Sequence, residues 1–193
     1  DLIDAGKLTV CSGTALSPSP EALEKFYANV EKYKKYIILR PQEVANSPEV
    51  ARRIGVIAMN TAIEVDIYGN VNSTHITGTK MMNGIGGSGD YARNGYLTVF
   101  FTNSVAKNGD ISSVVPMVAH HDHTEHDVDI IVSERGVADL RGKCPVDRAK
   151  EIIEKVAHPD YQPMLRDYLE RAIVATKHAH TPHILEEALS FHI

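Results

Sequence analysis

Apolar positions along this chain recur with two different periods, and the switches between them predict its elements. Leu8-Thr9-Val10-Cys11 reads as a short buried strand, and Ser12 to Pro20, rich in Gly, Ser and Pro, reads as a linker. Ser19-Pro20-Glu21 then supplies an N-cap, a first-turn proline and an early acidic residue, after which Leu23, Phe26, Tyr27 and Val30 follow at helical spacing. Tyr36-Ile37-Ile38-Leu39 is the next strand, so this stretch predicts a βαβ unit with parallel pairing. A second Ser47-Pro48-Glu49 opens a short helix through about Arg53, and Gly55 to Asn60 returns as a strand.

From Ala62 the period becomes two. Ala62-Ile63-Glu64-Val65-Asp66-Ile67 alternates apolar with polar, Tyr68-Gly69-Asn70 turns, and Val71 to Ile76 comes back, which predicts a hairpin with one face in water. On that pattern Glu64 and Asp66 belong to a solvated or ion-paired face. Further strands are expected at Leu97–Phe101, Val114–Val118 and Val128–Val132, and a short helix at Tyr91 to Gly95. Pro145 opens a helix through His158 with Ile152, Ile153 and Val156 as its buried stripe; helices near Gln162–Thr176 and Pro182–Phe191 complete the chain. The fold class is α/β, with a mixed, mainly parallel sheet, flanking helices and an embedded β-hairpin. The expected organisation is one domain over residues 1–176 and a helical tail over 177–193.

Composition narrows the classes of function. With 193 residues, 43% hydrophobic and 23% charged, the chain has ordinary globular character. A formal charge of -5 with no Lys/Arg stripe argues against nucleic acid. No apolar run approaches the ~20 residues that span a bilayer, and there is no signal peptide, so no membrane role and a cytoplasmic location are expected. Cys11 and Cys144 lie far apart without a CxxC pattern and have no nearby base, so two buried or inert thiols are expected. Asp1 to Lys7 has the form of a last helical turn closed by Gly6, and Leu185 to Ile193 is helical in pattern without a stop signal; both ends read as those of a fragment.

The densest chemical signal is Asn83-Gly84-Ile85-Gly86-Gly87-Ser88-Gly89-Asp90, with four glycines in six residues. Such a run can adopt positive φ and bring backbone N–H groups against a ligand, although glycine-rich turns also serve as plain connections. Lys107-Asn108-Gly109 forms a turn after a strand, where a lysine is either solvated or a flexible point charge for a ligand. Asn46 precedes the Ser47-Pro48-Glu49 helix start and reads locally as a turn residue. Glu134 follows a strand, and ligand sites of α/β folds collect at carboxyl ends of strands. His120-His121-Asp122-His123-Thr124-Glu125-His126 contains zinc-type donors but matches no ordinary ligand spacing; a hydrogen-bonded connector is the simpler reading, and no metal ligands are assigned.

Taken in order, DLIDAGK, SGTALSPSPE, ANSPEV, AMNTAIEVDIYGNVNS, GIGGSGDYARNG, DHTEHDVDIIVSERGVADLRGK and AHPDYQPML run the length of the chain. This string resembles the acetyl-CoA hydrolase/transferase family, in particular its succinyl-CoA:acetate CoA-transferase branch, and specifically the C-terminal of its two α/β domains. The resemblance implies an enzyme that moves CoA between short-chain acyl-CoA and carboxylates through a glutamyl-CoA thioester. It implies that the nucleophilic glutamate lies a few residues upstream of Asp1. By the same resemblance Gly87 offers the oxyanion N–H, Asn83, Gly87 and Lys107 contact CoA, and Asn46 and Glu134 support catalysis. Coenzyme A is then a substrate, no further cofactor is implied, and the partners are an N-terminal domain and a second copy of the chain.

Several alternatives stand beside this reading. Ser133-Glu134-Arg135-Gly136 is similar to the nucleophile segment of other CoA-transferases, although there the glutamate precedes the glycine loop and here it follows. Hydrolysis of acyl-CoA differs only in what opens the thioester. A CoA- or nucleotide-binding module without chemistry, and a metal-dependent hydrolase built on His120–His126, are the readings from other classes.

Overall fold

The computed structural model describes residues 1–191, which form two compact units, Asp1–Val50 and Ala51 onward. In the first unit β1 (Cys11–Gly13) precedes α1 (Pro20–Ala28), α2 (Val30–Tyr33), β2 (Ile37–Leu39) and α3 (Gln42–Ala45). β1 and β2 pair in parallel with Cys11 opposite Ile37, so the predicted βαβ connection is present. The first strand begins three residues later than the apolar run Leu8–Cys11 predicts, because its register with β2 recruits the backbone of Ser12 and Gly13, which needs no apolar side chain. Ser19 caps α1 by accepting the Ala22 N–H at 3.3 Å. The opening residues make one helical turn, with Ala5 N–H on the Asp1 carbonyl at 2.8 Å, and close it through Gly6 at φ +66°. Asp4 gathers Lys25 at 2.7 Å, Lys32 and the Tyr33 hydroxyl; these partners hold its carboxyl far below the usual range.

Helix α4 (Pro48–Ile54) leads to the second unit, whose elements are β3 (Ile57–Thr61), β4 (Glu64–Asp66), β5 (Val71–Asn72), β6 (His75–Ile76), β7 (Lys80–Met81), α5 (Ser88–Asn94) and β8 (Leu97–Phe101). They continue through β9 (Val105–Ala106), β10 (Ile111–Ser112), β11 (Val114–Val115), β12 (Ile130–Val132), β13 (Val137–Asp139), α6 (Pro145–Lys155), α7 (Gln162–Ala175) and α8 (Leu185–Ala188). The main sheet has the order β13-β12-β8-β3, with β3, β8 and β12 parallel and β13 antiparallel at one edge. Its register places Asn60, Phe100, Ile131 and Ala138 in one row. Phe100, Ile131 and Ala138 join Ile152, Ile153, Val156 and Leu165 in the core, which bears out the stripe expected on α6. A smaller sheet has the order β11-β4-β5, with β11 parallel and β5 antiparallel to β4.

That hairpin forms as predicted but has no wet face. Asp66 is fully buried, as are Val65, Ile67 and Val71, so both faces of β4, the middle strand of its sheet, are covered. The Asp66 carboxylate turns back on its own loop and accepts the Tyr68 and Asn70 amides, both at 3.0 Å, and the Asn70 side chain at 2.9 Å. Glu64 accepts Asn72 Nδ2 across the hairpin at 3.0 Å. The expected solvated face is therefore replaced by an internal polar network.

Other differences have local causes. The strand expected over Val114–Val118 stops at Val115, where Pro116 has no N–H to extend a ladder. The expected Pro182–Phe191 helix is confined to α8, because the residues before it are committed elsewhere: the Pro182 carbonyl accepts the Tyr68 hydroxyl, and the Ile184 amide donates to the Tyr168 hydroxyl at 3.2 Å. The end of the Leu185–Ile193 pattern, His192 and Ile193, lies outside the described residues. Both cysteines are exposed rather than buried; Cys144 sits at the N-cap of α6 with its Sγ 3.2 Å from Asp147. Among the described residues no helix is long and apolar enough to cross a membrane.

Candidate functional site

A cleft of about 490 Å³ opens at the carboxyl edge of the three parallel strands, lined by Thr61 and Ala62 at the end of β3, Phe101 to Asn103 at the end of β8, and Val132 to Glu134 at the end of β12. This is where the strand order of an α/β sheet leaves room for a ligand. Of the residues singled out from sequence, Glu134 lies in this lining.

Glu134 is clamped. The Ser104 amide donates to its Oε2 at 2.9 Å and the Ser104 hydroxyl donates to Oε1, while Arg135 Nε stands 3.5 Å from Oε1. Burial alone pushes the carboxyl up; the Ser104 hydroxyl and amide, its own backbone N–H and the Arg135 guanidinium outweigh it and leave the group below the usual carboxylate range. Glu134 is thus an anion at neutral pH with its lone pairs partly occupied. Ser104 is fully buried where the chain leaves β8 for the β9–β10 hairpin. Sequence reasoning did not single it out, since a lone serine after a strand carries no pattern.

The glycine run lies toward the same edge. Helix α5 packs on β3 and β8 and runs directly through Gly95 and Tyr96 into β8, so its N-terminal end returns to the carboxyl end of that strand. The helix begins earlier than expected because Gly87 serves as its N-cap and accepts the Tyr91 amide at 3.2 Å. Just before it, Ile85-Gly86-Gly87-Ser88 folds into a tight turn: Gly86 is left-handed at φ +58°, Gly87 has φ −89° and ψ 8°, and the Ser88 amide reaches the Ile85 carbonyl at 3.4 Å. The middle peptide of such a turn takes no part in its closing bond, so the Gly87 N–H is not used by it. A Cβ at Gly84, Gly86 or Gly89 would meet nothing within 4 Å, so this backbone borders open space. Asn83, at the start of the run, donates through Nδ2 to the Ser73 and Gly84 carbonyls, both at 3.0 Å.

Lys107 and Asn108 lie at the tip of the β9–β10 hairpin, both left-handed at φ 46° and 57°. A lysine in that conformation is costly, and such outliers are retained where the surroundings require them. The Tyr161 hydroxyl fixes the turn by donating to the Gly109 carbonyl at 2.9 Å, and Lys107 is exposed. Asn46 belongs to the other compact unit, where it is the C-cap of α3, its amide donating to the Gln42 carbonyl at 2.7 Å.

The histidine segment has divided roles. Asp122 accepts the Ser73 amide at 2.7 Å and the Thr74 hydroxyl at 2.8 Å, His120 stacks on His75 with ring centroids 3.7 Å apart, and His123 is buried against Phe100 at 4.9 Å. Among the described residues no group of three or more His, Cys, Asp and Glu side chains is placed to hold a metal ion.

A mainly parallel α/β sheet thus carries a clamped, charged carboxylate after one of its parallel strands and a glycine turn at the start of a helix packed on two of them. The chain belongs to the acetyl-CoA hydrolase/transferase C-terminal domain family, whose pattern matches residues 23–169. It is 62% identical over 191 residues to a succinyl-CoA:acetate CoA-transferase of Clostridium kluyveri, covering 99% of this chain and 35% of that protein. It is 48% identical over 199 residues to an acetyl-CoA hydrolase of Eremothecium gossypii, covering 100% of this chain and 38% of that one. The solved structure of a 4-hydroxybutyrate CoA-transferase from Porphyromonas gingivalis superposes with a TM-score of 0.64 at 23% identity, over 88% of this chain and 42% of that chain, a likeness of fold. The chain spans 35% and 38% of the length of the two curated relatives.

Proposed function

We propose that this chain is the CoA-binding half of a CoA-transferase that moves CoA between short-chain acyl-CoA and carboxylates of the acetate and succinate type. The observation that carries the proposal is the occurrence, in a chain of this family, of a charged, doubly clamped Glu134 at the carboxyl edge of the parallel strands and of a glycine turn whose Gly87 N–H takes no part in its closing bond. In this reading a glutamate outside residues 1–193 attacks the thioester carbonyl, forming a C–O bond and expelling CoA thiolate to leave a mixed anhydride. The thiolate then attacks the glutamyl carbonyl, forming a C–S bond and releasing the first carboxylate. The acceptor carboxylate opens the resulting glutamyl-CoA by the same two steps in reverse.

Each addition puts negative charge on a carbonyl oxygen, and the Gly87 N–H is the donor proposed to meet it; one such donor in a dry site contributes about 3 kcal/mol. Glu134 is assigned a supporting role. A carboxylate whose oxygens already accept two bonds and whose pKa is depressed is a poor nucleophile but a good fixed acceptor. Asn46 is assigned as a supporting amide donor, Asn83 and Lys107 as CoA contacts. CoA is a substrate and no further cofactor enters these steps. The working assembly proposed is a homodimer of a longer chain. Acyl-CoA hydrolysis is the variant in which water takes the acceptor's place, and the name of the Eremothecium relative favours keeping it.

The full-length protein, incubated with acetyl-CoA, reduced with borohydride and peptide-mapped, should carry its modification on a glutamate outside residues 1–193. Modification of Glu134 would overturn the assignment. Acetyl-CoA consumed without CoA appearing on added succinate would favour the hydrolase.

A further inference from the structure

Beneath the glycine turn lies a buried imidazole that the proposed chemistry does not use. His123 is 1% exposed, and its Nε2 is 3.0 Å from Ser88 Oγ. Ser88 Oγ is also 2.8 Å from the Ile85 carbonyl oxygen. A carbonyl can only accept, so the single hydroxyl proton of Ser88 goes to Ile85, and the proton between Ser88 and His123 must come from the imidazole. His123 is therefore the neutral tautomer with Nε2–H. The other ring nitrogen agrees: Nδ1 is buried without a partner among the described residues, which a bare lone pair tolerates better than an N–H. Burial disfavours the imidazolium and lowers the His123 pKa.

The ring is itself held by the core. The Val71 amide donates to the His123 carbonyl at 2.8 Å and the His123 amide to the Val71 carbonyl at 3.1 Å, which ties the residue to β5, and the ring rests on Phe100 of β8. A continuous path thus runs from two core strands through His123 Nε2–H to Ser88 Oγ, and from the Ser88 hydroxyl to the carbonyl that opens the turn. The turn's own closing bond, at 3.4 Å, is long, and neither Gly86 nor Gly87 has a Cβ to restrict its backbone. Left to itself this peptide would sample many orientations, and an amide that must meet a developing oxyanion loses its effect when it is free to rotate.

We propose that His123 is a positioning residue, which through Ser88 fixes the Ile85–Ser88 turn and with it the direction of the Gly87 N–H. The assignment deepens the CoA-transferase reading and rests on it for its catalytic consequence; the ordering of the turn does not depend on that reading.

The test uses the full-length protein and the variants His123→Phe, His123→Gln, Ser88→Ala and the double variant His123→Phe/Ser88→Ala. Phenylalanine keeps a ring against Phe100, and glutamine restores an N–H near the position of Nε2. His123→Phe and Ser88→Ala should each lower kcat about tenfold with KM within about twofold, as expected for a misdirected donor. The double variant should lose no more than either single change, and His123→Gln should recover most of the rate. Hydrogen–deuterium exchange of the peptide spanning 83–90 should quicken in both single variants, while β8 and α6 keep their protection. Unchanged exchange in Ser88→Ala, multiplied losses in the double variant, or a glutamine no better than phenylalanine would each overturn the proposal. Should His123→Phe fail to fold, Ser88→Ala and His123→Gln decide it. A wild-type protein inert toward acyl-CoA would refute the functional reading alone, since the exchange measurement still decides whether His123 orders the turn.

Discussion

Ser104 holds both oxygens of Glu134, its amide donating to Oε2 at 2.9 Å and its hydroxyl to Oε1. One residue at the end of β8 thereby sets the charge and orientation of a carboxylate that follows β12. Removing the hydroxyl in Ser104→Ala leaves the Ser104 amide, the Glu134 backbone N–H and Arg135. The Glu134 pKa should then rise toward its ordinary value, because a bond that favoured the charged form is gone. The acid limb of the kcat/KM profile should move to higher pH, with a loss of about three- to tenfold at neutral pH, the smaller figure because Glu134 is half exposed. An acid limb that stays in place would show that Glu134 does not govern the reaction.

Gly86 is left-handed at φ +58°, and nothing lies within 4 Å of where its Cβ would be. Gly86→Ala should therefore lose about 1–2 kcal/mol from backbone strain alone. Gly84→Ala, equally open and not left-handed, should stay within about 0.5 kcal/mol of the wild type. Thermal unfolding of the two variants makes the comparison; equal losses would contradict the turn described for Ile85–Ser88.

Lys107 is also left-handed, at φ 46°, yet carries a long charged side chain. In Lys107→Gly the relief of that conformation, about 1–2 kcal/mol, is offset in part by the extra freedom of the unfolded chain. Stability should change by less than about 1 kcal/mol in either direction. The KM for acyl-CoA should rise about fivefold with kcat little changed, as for the loss of a uniform binding contact. An unaltered KM would remove Lys107 from the CoA site.

Asp66 is fully buried, and burial pushes its pKa from 3.8 to about 6 in spite of the Asn70 and Tyr68 hydrogen bonds. Between these two values the folded protein holds a proton that the unfolded chain has released. Stability attributable to Asp66 is thus greatest below pH 3.8 and falls as the pH rises toward 6. The stability difference between wild type and Asp66→Asn, followed by urea unfolding across this window, should shift against the wild type by about 1 kcal/mol per pH unit. A flat difference would mean that Asp66 is ionised in the fold at low pH.

Periodicity and end signals determined most of the elements: Ser19 capping α1, the span of β8, and the buried stripe Ile152 and Ile153 of α6 with Val156 as its C-cap. These depend on near neighbours in the chain, so their causes are written locally. The motif order gave the family, and the glycine run announced itself by composition. Tertiary structure alone decided the rest. Alternation in β4 reads as one wet face, but both of its faces are covered and Asp66 went inside, because what packs over a strand is a long-range choice. Ser104 became the clamp on Glu134 across 30 residues, and His123 the support of Ser88 across 35, through sheet register and core burial that no local pattern records. The sequence determined which residues were available for chemistry; the fold decided which of them meet, since hydrogen-bond geometry is set by where strands end in space.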